Sequence, residues 1–392
     1  MRDVVVLGVS MTKCGKFPER SFKDGALEAV EGVIADAGIS KKQVQATYVS
    51  NVQSGAVSEQ VLMKGQAWLR PTGLDDITII NTENVCASGG TAFYLGMMDV
   101  ASGFHDCVLV LGVEKTTGMD KATFLWWVDA GRDMDDPVPP EKPFGMNLAG
   151  EAERGREYMK KYGLTKEQLA KICVKNHYNA SLNPWAHYRQ VVTVDEVLGD
   201  PLIDEPIHRM MCATVCDGSA AAILCSPQFA KRYTNKPIFA ITSVQRSSSG
   251  EISPNDALLP KRCAEEAYER AGIGPSEIDV WEVSDATSFT EAMSYENLGL
   301  CAPGEASAFI DSGASELTGR SPVNPSGGFE SRGHPFAATG IAQITELVWQ
   351  LRGDAGKRQV TGSPKLAAAQ CFGGHISSTD LGAVCSTTII RS

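Results

Sequence analysis

The chain reads as a layered α/β protein made of two similar halves with mixed sheets, and three observations predict this. First, Ala37-Gly38-Ile39-Ser40, Val44 and Tyr48-Val49-Ser50-Asn51 recur at a constant offset. Their counterparts are Ala271-Gly272-Ile273-Gly274, Ile278 and the run that ends Val283-Ser284-Asp285. Each copy reads as an amphipathic helix, a glycine stop, a short connection and a buried strand. Second, an apolar run lies upstream of each copy, Val4 to Val9 and Pro237 to Val244. Third, a Gly/Ser-rich run downstream of each leads into a helix and then a strand. In the first half these are Cys86 to Gly103 and Cys107 to Leu111; in the second, His334 to Leu351 and Leu366 to Gln370.

Between the halves, from about Thr116 to Arg232, the composition changes. This stretch holds Trp126-Trp127, a Pro-rich loop from Pro137 to Pro143, a Lys/Glu-rich helix from Glu151 to Tyr162, and Asn176-His177-Tyr178-Asn179. A long excursion on a compact scaffold is usually a lid or a binding wall. Cys216-Asp217-Gly218-Ser219-Ala220 then returns the chain to a small-residue strand of the first half, Ala221 to Cys225.

The length of 392 residues requires more than one packed unit. With 43% hydrophobic and 21% charged residues the composition is that of a soluble globular protein. A net charge of -11 without a basic stripe argues against nucleic-acid binding. No stretch of about 18 apolar residues predicts a membrane span, and the first residues lack a signal-peptide pattern. Eleven scattered cysteines without CxxC pairs point to a reducing, cytoplasmic compartment and against a disulfide framework or zinc site.

The chemistry is concentrated in three glycine-flanked runs. Cys86 opens Cys86-Ala87-Ser88-Gly89-Gly90; Asn324-Pro325-Ser326-Gly327-Gly328 leads to Gly333-His334-Pro335; Cys371 precedes Gly373-Gly374 and His375. A cysteine at a helix start lies near the positive end of the macrodipole and near free backbone N–H groups, which favours thiolate. His334 opens the corresponding helix of the other half, with Pro335 where its missing N–H costs little. Pseudo-twofold packing of the halves would bring imidazole and thiol within hydrogen-bonding reach, as activation of a nucleophile requires. Cys371 is placed to be a second acid/base group. The combination suggests acyl transfer on a thioester. Cys107, Cys173, Cys225, Cys263 and Cys385 read as small buried hydrophobes, and His105, His177, His187 and His208 as surface or structural residues.

With these motifs go Gly112-Val113-Glu114-Lys115, Tyr162-Gly163-Leu164-Thr165, Lys175-Asn176-His177 and Cys216-Asp217-Gly218. In this order, nearly end to end, the chain resembles thiolases, and within them the sterol-carrier-type branch. The resemblance implies a five-layered αβαβα fold of two duplicated halves. Residues 1–115 and 213–232 would form the N-terminal half, 116–212 an inserted loop domain, and 233–392 the C-terminal half. It also implies a homodimer, coenzyme A as cosubstrate with no permanently bound cofactor, and a ping-pong route through acyl-Cys86. His334 would activate Cys86, Cys371 would exchange a proton with the carbanion, and the Cys86 and Gly373 N–H groups would hold the thioester oxyanion.

Two departures stand out. Family members carry Asn-Glu-Ala-Phe or His-Asp-Cys-Phe where this chain has Ser284-Asp285-Ala286-Thr287, so Ser284 would hold only a shifted water in the enolate oxyanion hole. His375 stands where many have a third glycine. The expected reaction is thiolysis of a 3-oxoacyl-CoA, with Trp126 and Trp127 pointing to a bulky or aromatic acyl group such as benzoylsuccinyl-CoA. A small zinc-ribbon/OB-fold companion subunit is expected from the branch. The rivals are a C-acyltransferase, a retro-aldol lyase and a non-catalytic acyl-CoA or lipid carrier. Cys86 argues against the lyase, and Cys86, His334 and Cys371 together argue against the carrier.

Overall fold

The computed structural model describes residues 2–131, 133, 135, 146–248, 258–374 and 382–392. The expected Pro-rich loop at 137–143 and His375 lie outside the described residues.

The first half contains β1 (Val4–Met11), α1 (Phe22–Ala37), β2 (Ala46–Ser50), β3 (Thr78–Thr82), α2 (Ser88–Ser102), β4 (Cys107–Glu114) and, after the insertion, β5 (Gly218–Cys225). The insertion contributes α3 (Lys121–Asp129), α4 (Met146–Tyr162) and α5 (Lys166–Ser181). The second half contains β6 (Ile238–Ser247), α6 (Leu259–Ala271), β7 (Val280–Glu282), α7 (Ser288–Asn297), α8 (Phe336–Arg352), β8 (Leu366–Gly373) and β9 (Val384–Arg391).

Local chemistry sets these boundaries. Ser21 and Asp24 form a capping box at the start of α1, and left-handed Gly38 closes its end. The duplicate, α6, also stops at a left-handed glycine, Gly272. Strands β1, β4 and β5 are buried at every position, which is why they read as continuous apolar runs with no alternation.

The nine strands form one sheet in the order β3-β2-β4-β5-β1-β6-β9-β8-β7. The duplication is explicit in its pairing. The parallel β2/β4, antiparallel β4/β5 and antiparallel β1/β5 pairs are matched by parallel β7/β8, antiparallel β8/β9 and antiparallel β6/β9. A short antiparallel contact, Val4 to Val6 against Ala240 to Ile238, joins the two half-sheets. The second half has no equivalent of β3 among the described strands; an isolated parallel bridge from Trp281 to Val323 stands in its place.

Three apolar clusters define the layers. Phe22, Val30 and Val33 of α1 pack on Leu109, Leu111 and Ile223 of the first half-sheet. Cys263 and Ala267 of α6, with Phe289 and Tyr295 of α7, pack on Ala368 and Ile389 of the second. Between the half-sheets, Ala92 and Phe93 of α2 and Ala338, Ile341 and Leu347 of α8 contact Val110, Leu224, Ala367 and Ile390. The layering is helix, sheet, helix pair, sheet, helix. Among the described residues no helix is long and apolar enough to cross a membrane.

Candidate active site

The central helices α2 and α8 meet through glycine. A side chain at Gly89 would place Cβ 2.7 Å from the Ala337 carbonyl oxygen, and one at Gly340 would lie 2.4 Å from Gly90 N. Backbone therefore touches backbone, and the segments entering the two helices come together.

On the α2 side, Cys86 lies in a single 3₁₀ turn, Val85–Ala87. Val85 adopts φ 48, a left-handed conformation that β-branched residues avoid. The turn is clamped by the Ser88 hydroxyl, which accepts from Asn84 N at 2.8 Å and donates to Val85 O at 2.6 Å. On the α8 side, His334 N donates to Thr214 O at 2.7 Å. His334 Nε2 lies 3.2 Å from Cys86 Sγ. Its Nδ1 lies 2.9 Å from Thr339 Oγ1, so with the proton on Nδ1 the Nε2 lone pair faces the thiol. Phe329 stacks on the imidazole at 4.5 Å and 3°, and Phe336 meets it edge-on.

Cys371, near the end of β8, donates from Sγ to Cys86 O at 3.2 Å. Two residues on, Gly373 is required by space: a Cβ there would sit 2.5 Å from Cys86 Cβ and 2.9 Å from Cys86 N. Thus Cys86, His334, Cys371 and Gly373, spread over nearly 290 positions, meet at one point. Ser284 is adjacent but turned onto strand backbone. Its hydroxyl accepts from Phe372 N at 3.0 Å and faces Gln370 O at 3.4 Å.

Burial dominates the electrostatics. It holds the His334 imidazole down to about 3, with the Arg332 guanidinium adding to the effect. It raises Cys371 to about 12 against opposing contributions from Arg332 and the Ser284 hydroxyl. The Cys86 thiol is also pushed far up, by enclosure first and by Cys371 second. This opposes the thiolate preference expected from the helix start and favours a neutral thiol beside a neutral imidazole.

Several contributors were not assigned roles from sequence. Glu114 accepts from Asn51 Nδ2 and from the N–H groups of Val52, Gln53 and Ala337, tying the loop after β2 to the start of α8. Burial lifts its carboxyl to about 7. Thr339 and Phe329 orient the imidazole, and a fully buried ion pair joins Arg332 to Glu282 at 3.3 Å. Thr339 could have been found one helical turn beyond His334; the others depend on tertiary contacts.

From the insertion, Phe124 and Trp127 of α3 pack against the cluster of Val52, Phe336 and Ala337 that Cys86 also meets, while Trp126 is 53% exposed. A cleft of about 430 Å³ opens beside Phe372, lined by Tyr158, Phe289 and Met293 with Arg154 and Lys161 at its rim. His177 and His208 are committed to the Gln190 and Asp200 carbonyls, and His105 to Asp99. Cys107, Cys173, Cys225, Cys263 and Cys385 are buried. Among the described residues no group of His, Cys, Asp and Glu is arranged to hold a metal ion.

Residues 4–228 match the family thiolase, N-terminal domain, and residues 247–384 match thiolase C-terminal domain-like. An acetyl-CoA acetyltransferase of Methanothermobacter thermautotrophicus is 39% identical over 93% of this chain and 94% of its own. Sterol carrier protein 2 of Gallus gallus is 36% identical over 92% of this chain and 68% of its own. Benzoylsuccinyl-CoA thiolase subunit BbsB of Thauera aromatica is 33% identical over 95% of both. In fold, the chain is similar to the Ltp2-ChsH2(DUF35) aldolase, at TM-score 0.79, 23% identity and coverage of 100% of this chain and 98% of that one. It is similar to human mitochondrial 3-ketoacyl-CoA thiolase at TM-score 0.74, 16% identity and coverage of 100% and 99%. The fold, the two matched domains and the full-length relatives agree: the chain belongs to the thiolase family and is an acyltransferase.

Proposed function

We propose that the protein cleaves a bulky or aromatic 3-oxoacyl-CoA with CoA through an acyl-Cys86 intermediate. The observation that carries this reading is His334 Nε2 at 3.2 Å from Cys86 Sγ, with the Cys371 thiol bonded to the Cys86 carbonyl. In the first half-reaction His334 takes the Cys86 proton as sulfur bonds to the C3 carbonyl carbon. The C2–C3 bond breaks, C2 takes the Cys371 proton, and the shortened acyl-CoA leaves. In the second, Cys371 thiolate takes the CoA thiol proton and CoA sulfur attacks the acyl group. The Cys86 sulfur leaves and recovers its proton from His334. The oxyanion is given to the backbone N–H groups of Cys86 and Gly373, supported by the close approach of the two residues.

Support for a bulky or aromatic acyl group comes from Phe124 and Trp127 on the apolar cluster that Cys86 shares and from the 33% identity to a benzoylsuccinyl-CoA thiolase subunit. The same reading divides the chain into two halves, 1–115 with 213–232 and 233–392, and a loop domain, 116–212. It places the protein in the cytoplasm as a homodimer, supported by the exposed edge strand β3 with Ile80 and the neighbouring Leu62 and Met63. A companion subunit with a DUF35 domain is part of the proposal, motivated by the aldolase complex of similar fold.

The test is thiolysis of a panel of 3-oxoacyl-CoA esters, with intact mass read during turnover. One acyl adduct per chain, absent in Cys86→Ala, is expected, with aryl esters turned over faster than acetoacetyl-CoA. An adduct that persists in Cys86→Ala sinks the mechanism; a preference for acetoacetyl-CoA sinks the substrate class.

A further inference from the structure

Behind His334 lies a buried polar network that the reaction above does not use. Gly328–Arg332 forms a single wide turn, with Arg332 N bonded to Gly327 O at 3.3 Å, and it carries Phe329 onto the imidazole. Asp285 holds the start of that turn: one carboxylate oxygen accepts from Phe329 N at 2.7 Å and the other from Glu330 N at 3.2 Å. The fit is tight, since a Cβ on Gly328 would lie 2.1 Å from Asp285 Oδ2. Glu330 accepts from the Ser288 hydroxyl at 2.6 Å and from Asn176 Nδ2 at 3.0 Å. The main chain at 329–330 bonds Thr214, whose carbonyl in turn accepts from His334 N.

Resting on the assignment of His334 as the base for Cys86, we propose that Glu330 and Asp285 are positioning residues for His334. They lock the turn that presses Phe329 flat on the imidazole, and the lock holds only while their carboxylate cluster retains a proton.

The charge balance requires that proton. Asp285 and Glu330 from the two loops and Glu291 from α7 all converge on Asn176 Nδ2. Among the described residues one cation is bonded to the cluster, Lys175 of α5, at 2.7 Å from Glu291. The other titratable groups nearby are Tyr295 on α7, bonded to Glu291, and the thiols of Cys173 on α5 and Cys212. Every member of the acidic triad is at most 1% exposed. Three ionised carboxylates against one ammonium would leave uncompensated charge in a closed interior, which is strongly unfavourable. Burial first, and Glu291 second, lifts Glu330 to about 8. Asp285 is raised by the same causes. The sign follows: the cluster is protonated and the turn locked below about pH 8, and ionisation of Glu330 above it loosens the turn.

Iodoacetamide alkylation of Cys86, followed by intact mass between about pH 6.5 and 9.5, tests this without knowledge of the substrate. Glu330→Gln retains the size and bonding of the protonated acid. Its rate relative to wild type should be near one at pH 6.5 and about tenfold higher at pH 9, one unit above the titration. Ser288→Ala removes a donor that favours ionised Glu330 and should move the wild-type break to higher pH. It decides the matter alone should Glu330→Gln fail to fold. Ratios independent of pH in both variants would overturn the proposal. If His334→Ala is alkylated as fast as wild type at every pH, the base assignment beneath the proposal has failed instead.

Discussion

His334 meets the Cys86 sulfur and Cys371 the Cys86 carbonyl; in the proposed mechanism they carry different protons, so their removal should separate the two halves of the chemistry. His334→Ala deprives Cys86 of its base and should slow acylation by roughly 10²–10⁴. Cys371→Ser should impair carbon–carbon cleavage more than acylation by a simple thioester; rapid-quench kinetics with each substrate distinguish them. Equal loss in both steps would contradict the role of Cys371. The imidazole also writes a signature into stability. Its folded value is about 3 against an ordinary 6.5, so the unfolded chain binds the proton first and folding weakens as pH falls from 6.5 towards 3. Over that window the loss amounts to a few kcal/mol. His334→Asn should flatten this acid limb in denaturant titrations; an unchanged limb would mean that the imidazole is solvated. Cys86, His334 and Cys371 were legible because each sits beside glycines that free the backbone. Phe329, Asp285 and Glu330 were not, since their influence on the imidazole exists only once the wide turn has formed.

At the scale of elements, the contact between α2 and α8 fixes the distance between thiol and imidazole. Gly340→Ala would drive a methyl into Gly90 N, and overpacking of this kind costs about 1–3 kcal/mol. The helices should separate, lowering both the melting temperature and the rate of Cys86 alkylation. A variant that loses stability but retains wild-type alkylation would show that the crossing does not set the site geometry. Strands β1, β4 and β5 were visible in the apolar pattern because burial is continuous along them, whereas β9, which follows the third glycine-flanked run, was not singled out. Val323 was not, because a single bridge beside Trp281 leaves no periodic trace.

At the scale of the molecule, the repeat at Gly38 and Gly272 forecast two related halves, and the mirrored strand order bears that out. The three-residue β1/β6 contact that merges their sheets was hidden, since an apolar edge reads alike whether paired or covered. The exposed edge of β3 carries its own prediction. If the protein is the proposed homodimer, Ile80→Asp combined with Leu62→Asp should shift it from dimer to monomer by light scattering, with little change in melting temperature; an unaltered mass would remove β3 as the interface. The glycine crossing has a further consequence for how such a protein diversifies. The two helix starts are brought together through main chain, so side chains that the insertion packs near them can change without moving that crossing. If Phe124 and Trp127 face the acyl group as proposed, point substitution there would yield new acyl specificities while the glycine crossing is inherited unchanged.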